Sequence, residues 1–356
     1  MAALTEFKLS RADLHWPPID DLARRAVELA EAAERDGTFG VGGYLADRRG
    51  RIIKEARNGV VVDGAVADPT AHVERQLVTW YQERRRAGDP LPPPHELVVV
   101  SSLDPCMMCT GALLNAGLSC LAVTDDPMAG VHARPHLQTL PPGLRERVKR
   151  TIRFLPSHDP ETRPDQAPAM PGGYLSDRLL DRANAAFSES LDHVQDRFAP
   201  TQLESIGNRL NDRARRFLDR ARTGESHARL IGPDDTELLA RDDRRRGGSL
   251  IDRAVFRLVR DYTRLCRTAE TAGLSLPHPR TCRIVLDRLP DADADFVADF
   301  GAIGSFLEGA PIHRPYVCAT DVDAAALVRR QAELEHFPPL YSEAIGLSVG
   351  RCPVHG

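Results

Sequence analysis

His72-Val73-Glu74, followed later in the chain by Pro105-Cys106-Met107-Met108-Cys109, is the part of this sequence that decides its fold. The imidazole of His72 and the thiolates of Cys106 and Cys109 are good ligands for zinc. Three protein ligands leave one tetrahedral position open for water, which is typical of a catalytic zinc site rather than a structural one. Glu74 then remains free to carry protons. The pattern therefore predicts a catalytic metal site.

The two halves of this pattern lie at the starts of two predicted helices. The first helix is expected over residues 70–86 and the second over residues 105–116, with Asp104 as its N-cap. Cys106 and Cys109, three residues apart, can face one ion, and a helix N-terminus favours their thiolate form. The alternative is a closed structural site with a fourth ligand elsewhere, but such a site would not require Glu74.

The reaction follows from these groups. Zinc makes a nucleophile available from water at neutral pH. A carboxylate such as Glu74 can take the water proton and deliver it to a ring nitrogen and then to a leaving amine. This is the hydrolytic deamination of an amino-substituted heterocycle at the C–N bond of a cyclic amidine. Helical spacing alone would not place Glu74 on the same face as His72, so the two would reach the site from different sides of a first turn.

Composition indicates a cytoplasmic protein that acts on a small molecule. The chain has 356 residues, 42% hydrophobic and 28% charged, and no apolar run that approaches the length of a membrane span. Its formal net charge is −4, whereas proteins that depend on phosphate contacts usually show a basic face, so a nucleic-acid partner is not expected. Seven cysteines, an odd number, argue against a disulfide framework and fit a reducing compartment.

The first part of the chain alternates predicted helices and strands, which indicates an α/β fold with a partly parallel sheet between helices. The predicted elements are a helix over residues 19–35, a hairpin over 39–56, strands over 97–101 and 118–124, and a last helix and strand over 144–154. We expect the catalytic domain to cover residues 1–157. A linker rich in proline and charge follows at residues 158–173, and a helix-rich domain of unknown role covers residues 174–356.

The C-terminal half is expected to be mainly helical or α+β. Helices are predicted over residues 175–198, from a capping box at 201–204 toward 221, and over 249–272, with a loop-rich segment at 224–248 and short strands at 283–287 and 315–319. This half could be a lid over the pocket, a dimerisation domain or a degenerate second domain of the same kind. Cys352 and His355 offer two further ligands, so a second metal site is an open alternative.

The residues around both halves of the pattern resemble the cytidine deaminase-like superfamily. The segments Asp68 to Glu74 and Pro105 to Ala112 are similar to those of bacterial guanine deaminase, fungal cytosine deaminase and tRNA adenosine deaminase. Phe39-Gly40, followed by an apolar strand and then Asn58, resembles the opening hairpin of these enzymes, in which proline commonly stands where this chain has Thr38. The resemblance covers roughly residues 15–156.

This resemblance implies a three-layer α-β-α fold, one zinc ion per active site and a homodimer. His72, Cys106 and Cys109 match the zinc ligands, and Glu74 matches the proton shuttle. Substrate contacts are expected from Asn58, the backbone of Ala71, and Asp126 or its neighbour Asp125. The leading hypothesis is a zinc-dependent deaminase of a nucleobase, nucleoside or related small amino-heterocycle. The alternatives are a tRNA adenosine deaminase acting on a flipped base and a catalytically idle interaction module.

Overall fold

The computed structural model describes most of the chain from Pro17 onward. The described residues are 17–132, 137, 140, 142–158, 165–167, 172–198, 212–219, 228–243, 249–286, 298–299, 301–302 and 316–317. They separate into two compact units: one takes in those of residues 1–65 and 71–196, and the other those of residues 66–70 and 197–356. None of the helices within the described part of the chain is long and apolar enough to cross a membrane.

The first unit contains a five-stranded sheet and its helices. The helices are α1 (Ile19–Arg35), α2 (Val73–Arg86), α3 (Met107–Ala116), α4 (Pro142–Thr151) and α5 (Asp177–Phe198). The strands are β1 (Gly42–Asp47), β2 (Ile52–Arg57), β5 (Leu97–Leu103), β6 (Ser119–Thr124) and β7 (Ile152–Phe154), and a separate two-stranded ribbon pairs β3 (Val61–Val62) with β4 (Ala65–Val66).

The sheet is mixed, as the alternation of elements predicts. Its strand order is β2-β1-β5-β6-β7, with β1 antiparallel to both of its neighbours and β5, β6 and β7 parallel to one another. Val98 and Val100 on β5 pack into the same core as Ala23 and Val27 of α1. Because side chains alternate along a strand, the residues between them face the opposite side. The three-layer α/β prediction is confirmed.

Two helix starts differ from the sequence prediction. Helix α2 begins at Val73 with His72 as its N-cap, and α3 begins at Met107 with Cys106 as its N-cap. Asp104 is therefore not the N-cap of α3. Its carboxylate instead accepts hydrogen bonds from the backbone N–H of His132, at 2.8 Å, and pairs with the His132 ring, also at 2.8 Å. A tertiary partner has replaced the local capping contact.

Helix α5 packs as part of the first unit. Leu179 and Ala183 of this helix, with Leu175 just before it, share a core cluster with Ile19 and Leu22 of α1. The first part of the amphipathic stripe predicted for residues 175–198 is therefore buried against the N-terminal helix. The first unit extends to Asp196, which favours a boundary after this helix, while the boundaries drawn at residues 157 and 173 stay predictions.

The second unit combines helices with a four-stranded sheet, which makes it α+β. Its helices are α6 (Asp212–Asp219) and α7 (Ala254–Thr271). Its strands are β8 (Ala228–Ile231), β9 (Glu237–Arg241), β10 (Arg283–Leu286) and β11 (Tyr316–Val317), in the order β11-β10-β8-β9. The capping box at residues 201–204 and the Cys352/His355 pair lie outside the described residues.

The expectation of a loop-rich segment at residues 224–248 is wrong, because β8 and β9 form an antiparallel hairpin there. The polar residues concentrate in its turn, where Gly232 donates to Thr236 and Asp235 adopts a φ of 62°. Leu230 and Leu239 in the paired strands are fully buried. The apolar residues of the hairpin concentrate in its two strands, and their burial outweighs the polar average of the segment.

Candidate functional site

His72, Cys106 and Cys109 come together at the N-termini of two helices. Their ligand atoms all lie within 4.8 Å of one another, and the Sγ of Cys106 is 3.5 Å from the Nδ1 of His72. Among the described residues, this is the group of histidine, cysteine and acidic side chains that could hold a metal ion. Both cysteines are buried, and His72 is half-buried. One imidazole and two thiols are a donor set that suits zinc.

The surroundings of the two cysteines favour a thiolate at Cys106. A hydrogen bond from Cys109, together with the charge and hydrogen bond of His72, lowers the pKa of Cys106 well below its ordinary value. Burial, with the neighbouring Cys106, raises the pKa of Cys109 well above its ordinary value. Because metal ligation requires deprotonated thiols, a cation at this place would bring both cysteines to the thiolate form. The residues present therefore fit a zinc ion.

Glu74 lies beside this group, buried and only 3% exposed. Its carboxylate shares a hydrogen bond with Cys109, and its Oε1 accepts a hydrogen bond of 2.5 Å from the hydroxyl of Ser101. Burial raises the pKa of Glu74, against the lowering effect of these two hydrogen bonds. His72 and Glu74 reach the same place because His72, as the N-cap of α2, has extended backbone (φ −67°, ψ 154°), so helical spacing does not apply between them.

Ser101 is the residue of this site that the sequence analysis missed. It is fully buried on β5, and its contact with Glu74 joins the sheet to the first turn of α2. The available signal was the pair Ser101-Ser102 in a strand whose other residues are apolar. A buried hydroxyl in an apolar strand needs a partner, but the sequence does not indicate which carboxylate provides it.

Asn58 is buried, 7% exposed, directly after the hairpin β1–β2. Its Oδ1 accepts hydrogen bonds from the hydroxyl of Thr38 at 2.8 Å and from the backbone N–H of Val60 at 3.0 Å. Its own backbone N–H donates to Val41 at 2.9 Å. Thr38, which stands where the related enzymes commonly have proline, therefore makes a side-chain contact that proline cannot make.

The backbone of Ala71 links Asn58 to the metal-binding group. The Ala71 carbonyl accepts hydrogen bonds from the N–H of Gly59 at 2.9 Å and from the Nε2 of Gln76 at 2.8 Å. Because Gly59 follows Asn58 and Ala71 precedes His72, this contact places the two predicted substrate residues next to each other. A surface cavity beside them is lined in part by Asn58, Thr38, Gln76 and Trp80, and the three possible metal ligands do not line it.

Asp126 is buried, whereas Asp125 is exposed. The Oδ1 of Asp126 accepts hydrogen bonds of 3.0 Å from the backbone N–H groups of Met128 and Ala129. Burial raises the pKa of Asp126 to about 6, and those two backbone hydrogen bonds oppose the increase. Asp126 therefore stabilises a turn after β6, and its role as a substrate contact stays a prediction.

His132 and Asp104 form a buried pair next to the start of α3. Their side chains are 4% and 0% exposed, and the ring Nδ1 lies 2.8 Å from the Asp104 Oδ1. Although burial alone would lower it, the pKa of His132 is raised by the charge and hydrogen bond of Asp104. The pair ties the segment after β6 to the residues just before Cys106. It therefore supports the helix start that carries both cysteines.

Comparison with known proteins matches this architecture. Residues 18–124 match the sequence model of a family described as "Cytidine and deoxycytidylate deaminase zinc-binding region". The chain is 34% identical to a tRNA-specific adenosine deaminase of Haemophilus influenzae over 123 residues, which are 33% of this chain and 65% of that protein. It is 35% identical to a tRNA(Ile)-lysidine synthase of Thermus thermophilus over 135 residues, 37% of this chain but only 24% of that protein. The match thus covers about two thirds of the adenosine deaminase and about a quarter of the lysidine synthase.

Among solved structures, the guanine deaminase from Nitrosomonas europaea aligns with a TM-score of 0.32 and 18% identity. The alignment covers 48% of this chain and 86% of that one.

The fold and the His/Cys/Cys group define the first unit as a zinc-binding deaminase-type domain. Residues 18–124 match the zinc-binding region of that family, so this part of the chain is similar to the cytidine deaminase-like superfamily.

Proposed function

We propose that this protein is a zinc-dependent hydrolytic deaminase of a nucleobase, nucleoside or related small amino-heterocycle. His72, Cys106 and Cys109 would hold the metal, and Glu74 would be the catalytic proton carrier. The observation that carries the proposal is the position of the Glu74 carboxylate. It is buried and hydrogen-bonded to Cys109 at the place where the three ligand atoms converge. A structural metal site has no use for a desolvated acid at that position.

When bound, zinc would supply a Lewis acid that makes water nucleophilic at neutral pH. The chain's own residues supply the proton transfers. Ser101 holds the Oε1 of Glu74, which fixes the orientation in which the carboxylate would take a proton from water. Burial raises the pKa of Glu74, so the protonated acid can pass that proton to the ring nitrogen. Glu74 would then take a second proton from the hydroxyl group added to the substrate carbon and deliver it to the amine, which leaves as ammonia. Both steps need one carboxylate held in one orientation.

We also propose the substrate contacts from their positions around this centre. Asn58 and the backbone of Ala71 are adjacent to His72 through the Gly59–Ala71 hydrogen bond, and they would bind the base. We propose Asp126 as a further substrate contact because it lies directly after β6. We further propose that the protein is a homodimer located in the cytoplasm and that its partner molecule is a small aminated heterocycle.

A second candidate is deamination of adenosine in tRNA. The similarity to the Haemophilus influenzae protein of that name favours it. The formal net charge of −4 opposes it, because affinity for RNA rests largely on cationic contacts to phosphates. An idle deaminase fold that serves only as an interaction module is disfavoured by the intact His72, Cys106, Cys109 and Glu74.

The test is a metal analysis and an ammonia-release screen on the purified full chain. The proposal expects about one zinc per chain and ammonia release from at least one of guanine, adenine, cytosine, their nucleosides or other amino-heterocycles. Inosine formation in tRNA without release from any small compound would promote the second candidate. Zinc-loaded protein that deaminates neither kind of substrate would contradict both and support the interaction module.

A further inference from the structure

We propose that Thr38 is a positioning residue that holds the Asn58 amide in one orientation, with its NH2 group turned toward the substrate. This inference rests on the proposed function, in which Asn58 contacts the base. It goes further by naming the residue that sets the hydrogen-bonding character of that contact. It thereby restricts the substrates to heterocycles that present a hydrogen-bond acceptor at that edge.

The orientation of the amide follows from which groups can donate. The N–H of Val61 donates to the Oγ1 of Thr38 at 3.1 Å, and the hydroxyl proton of Thr38 points to Asn58 at 2.8 Å. The N–H of Val60 donates to the same Asn58 atom at 3.0 Å. A backbone N–H can only donate, so the shared atom must be the carbonyl oxygen Oδ1. The alternative assignment of the amide, with nitrogen at this place, would set the Val60 N–H donor against the NH2 donor.

Burial makes this arrangement stable. Thr38 is 2% and Asn58 7% exposed, so little water competes for these hydrogen bonds. In a buried network, each unsatisfied donor carries the full penalty of its desolvation. Rotation of the amide by half a turn would leave the Val60 N–H facing the NH2 group without an acceptor, and the Thr38 hydroxyl proton would lose its acceptor at Asn58. One orientation of Asn58 is therefore strongly favoured before any substrate arrives.

The other end of the amide is left for a ligand. Within the described part of the chain, no residue accepts a hydrogen bond from the Asn58 Nδ2. Two N–H donors are thus presented and no acceptor. A carbonyl oxygen or an unprotonated ring nitrogen of the substrate would accept hydrogen bonds from these two N–H groups. An amino group at the same edge would instead place a second donor against them. A site that holds donors in place rejects analogues lacking the acceptor more strongly than a merely apolar pocket would.

The kinetic test uses three variants of the full chain. Thr38→Val keeps the shape and removes the hydroxyl, and Thr38→Ser restores the hydroxyl. Thr79→Val is the matched control, because the Thr79 hydroxyl is also buried but has no hydrogen-bond partner among the described residues. With the best substrate from the ammonia screen, Thr38→Val should raise KM about tenfold with kcat within about threefold, and Thr38→Ser should stay within about twofold of the native KM. Thr79→Val should match the native protein.

Substrate analogues sharpen this test. A deaza analogue, in which one ring nitrogen acceptor is replaced by C–H, should be discriminated against by the native protein and much less by Thr38→Val. An unchanged KM in Thr38→Val would overturn the proposal, as would a loss that Thr38→Ser does not restore. Zinc content, measured for every variant, should stay at the native value.

A second measurement needs no substrate and separates this inference from the proposed function. The side-chain NH2 resonances of Asn58, assigned in 15N-labelled protein through their loss in Asn58→Asp, report on hydrogen bonding at Oδ1. They should shift in Thr38→Val and stay in place in Thr38→Ser and Thr79→Val. Unshifted resonances in Thr38→Val would refute the contact. A failed ammonia screen with shifted resonances would refute the proposed function, and with it the claim about substrates, while the positioning of Asn58 by Thr38 would stand.

Discussion

Replacement of Ser101 by alanine tests whether the orientation of Glu74 limits catalysis. The Ser101 hydroxyl donates to the Glu74 Oε1 over 2.5 Å, and both side chains are buried. A hydrogen bond to a charged group contributes about 1.5–3 kcal/mol. Because about 1.4 kcal/mol corresponds to tenfold in rate, we expect Ser101→Ala to lower kcat by about 10- to 100-fold. The metal ligands are untouched, so zinc content should be unchanged.

The stability of Ser101→Ala should depend on pH in a defined direction. Burial raises the pKa of Glu74 and Ser101 opposes that increase, so removal of the hydroxyl raises the pKa further. A carboxyl group whose pKa is higher in the folded than in the unfolded state costs stability as the pH rises through the folded value. Urea unfolding of the zinc-free protein should therefore show a larger loss of stability for Ser101→Ala at pH 8 than at pH 5.

Ser102→Ala is the control for this experiment. Ser102 is the next residue of the same strand, equally buried, and its hydroxyl accepts a hydrogen bond of 3.0 Å from the N–H of Gly42 rather than contacting Glu74. Both variants should lose some stability, but only Ser101→Ala should lose kcat. Equal kcat values for the two variants, or a change confined to KM in Ser101→Ala, would refute the argument that Ser101 acts through Glu74.

Three further predictions concern other side chains of the first unit. Glu74→Gln should keep its zinc and lose about 10²- to 10⁴-fold in ammonia release, because only the proton carrier is removed; full activity would contradict the mechanism. Burial raises the pKa of Asp126 to about 6, so its negative charge costs stability above that pH. Asp126→Asn should therefore be more stable than the native protein at pH 7.5 by up to about 3 kcal/mol, and the difference should shrink toward pH 4. Urea unfolding at both pH values checks this, and a pH-independent difference would contradict it. His132→Gln removes the imidazole that contacts the buried Asp104 carboxylate at 2.8 Å and should cost about 1–3 kcal/mol in urea unfolding at pH 7. Native-like stability would argue against a structural role for this contact.

Local patterns in the sequence were sufficient where local physics decides the structure. Helix α1 covers the predicted residues 19–35 because its apolar stripe recurs at helical spacing and is buried on one face. The pairing of β1 with β2 follows from two strand-like runs around a glycine turn. The motif residues His72, Cys106 and Cys109 were predicted to converge, and their ligand atoms do.

Contacts between distant residues decided the features that were missed. The sequence around Asp104 satisfies the rules for an N-cap, but the partner that takes its carboxylate is His132, 28 residues away. The hairpin of β8 and β9 contains Arg241 at a buried position, which is tolerated because Asp261 pairs with it at 2.8 Å. A pattern-based prediction assigns such a charged residue to the surface, since the compensating acid lies on a helix outside the segment.

The convergence of the candidate metal ligands depends on helix starts more than on helix faces. Cys106 is the N-cap of α3 and His72 the N-cap of α2, so both stand on extended backbone at the positive end of a helix dipole. The two N-termini favour thiolate and carboxylate at the same place, which a metal cation then neutralises. Because β5 carries the Ser101 hydroxyl to the Glu74 carboxylate, the sheet holds the acid independently of the metal. Removal of zinc should therefore release the ligands and still leave Glu74 bound to Ser101. Loss of Ser101 should leave the ligands in place and remove the contact between the sheet and the acid, so the two perturbations separate metal binding from proton transfer.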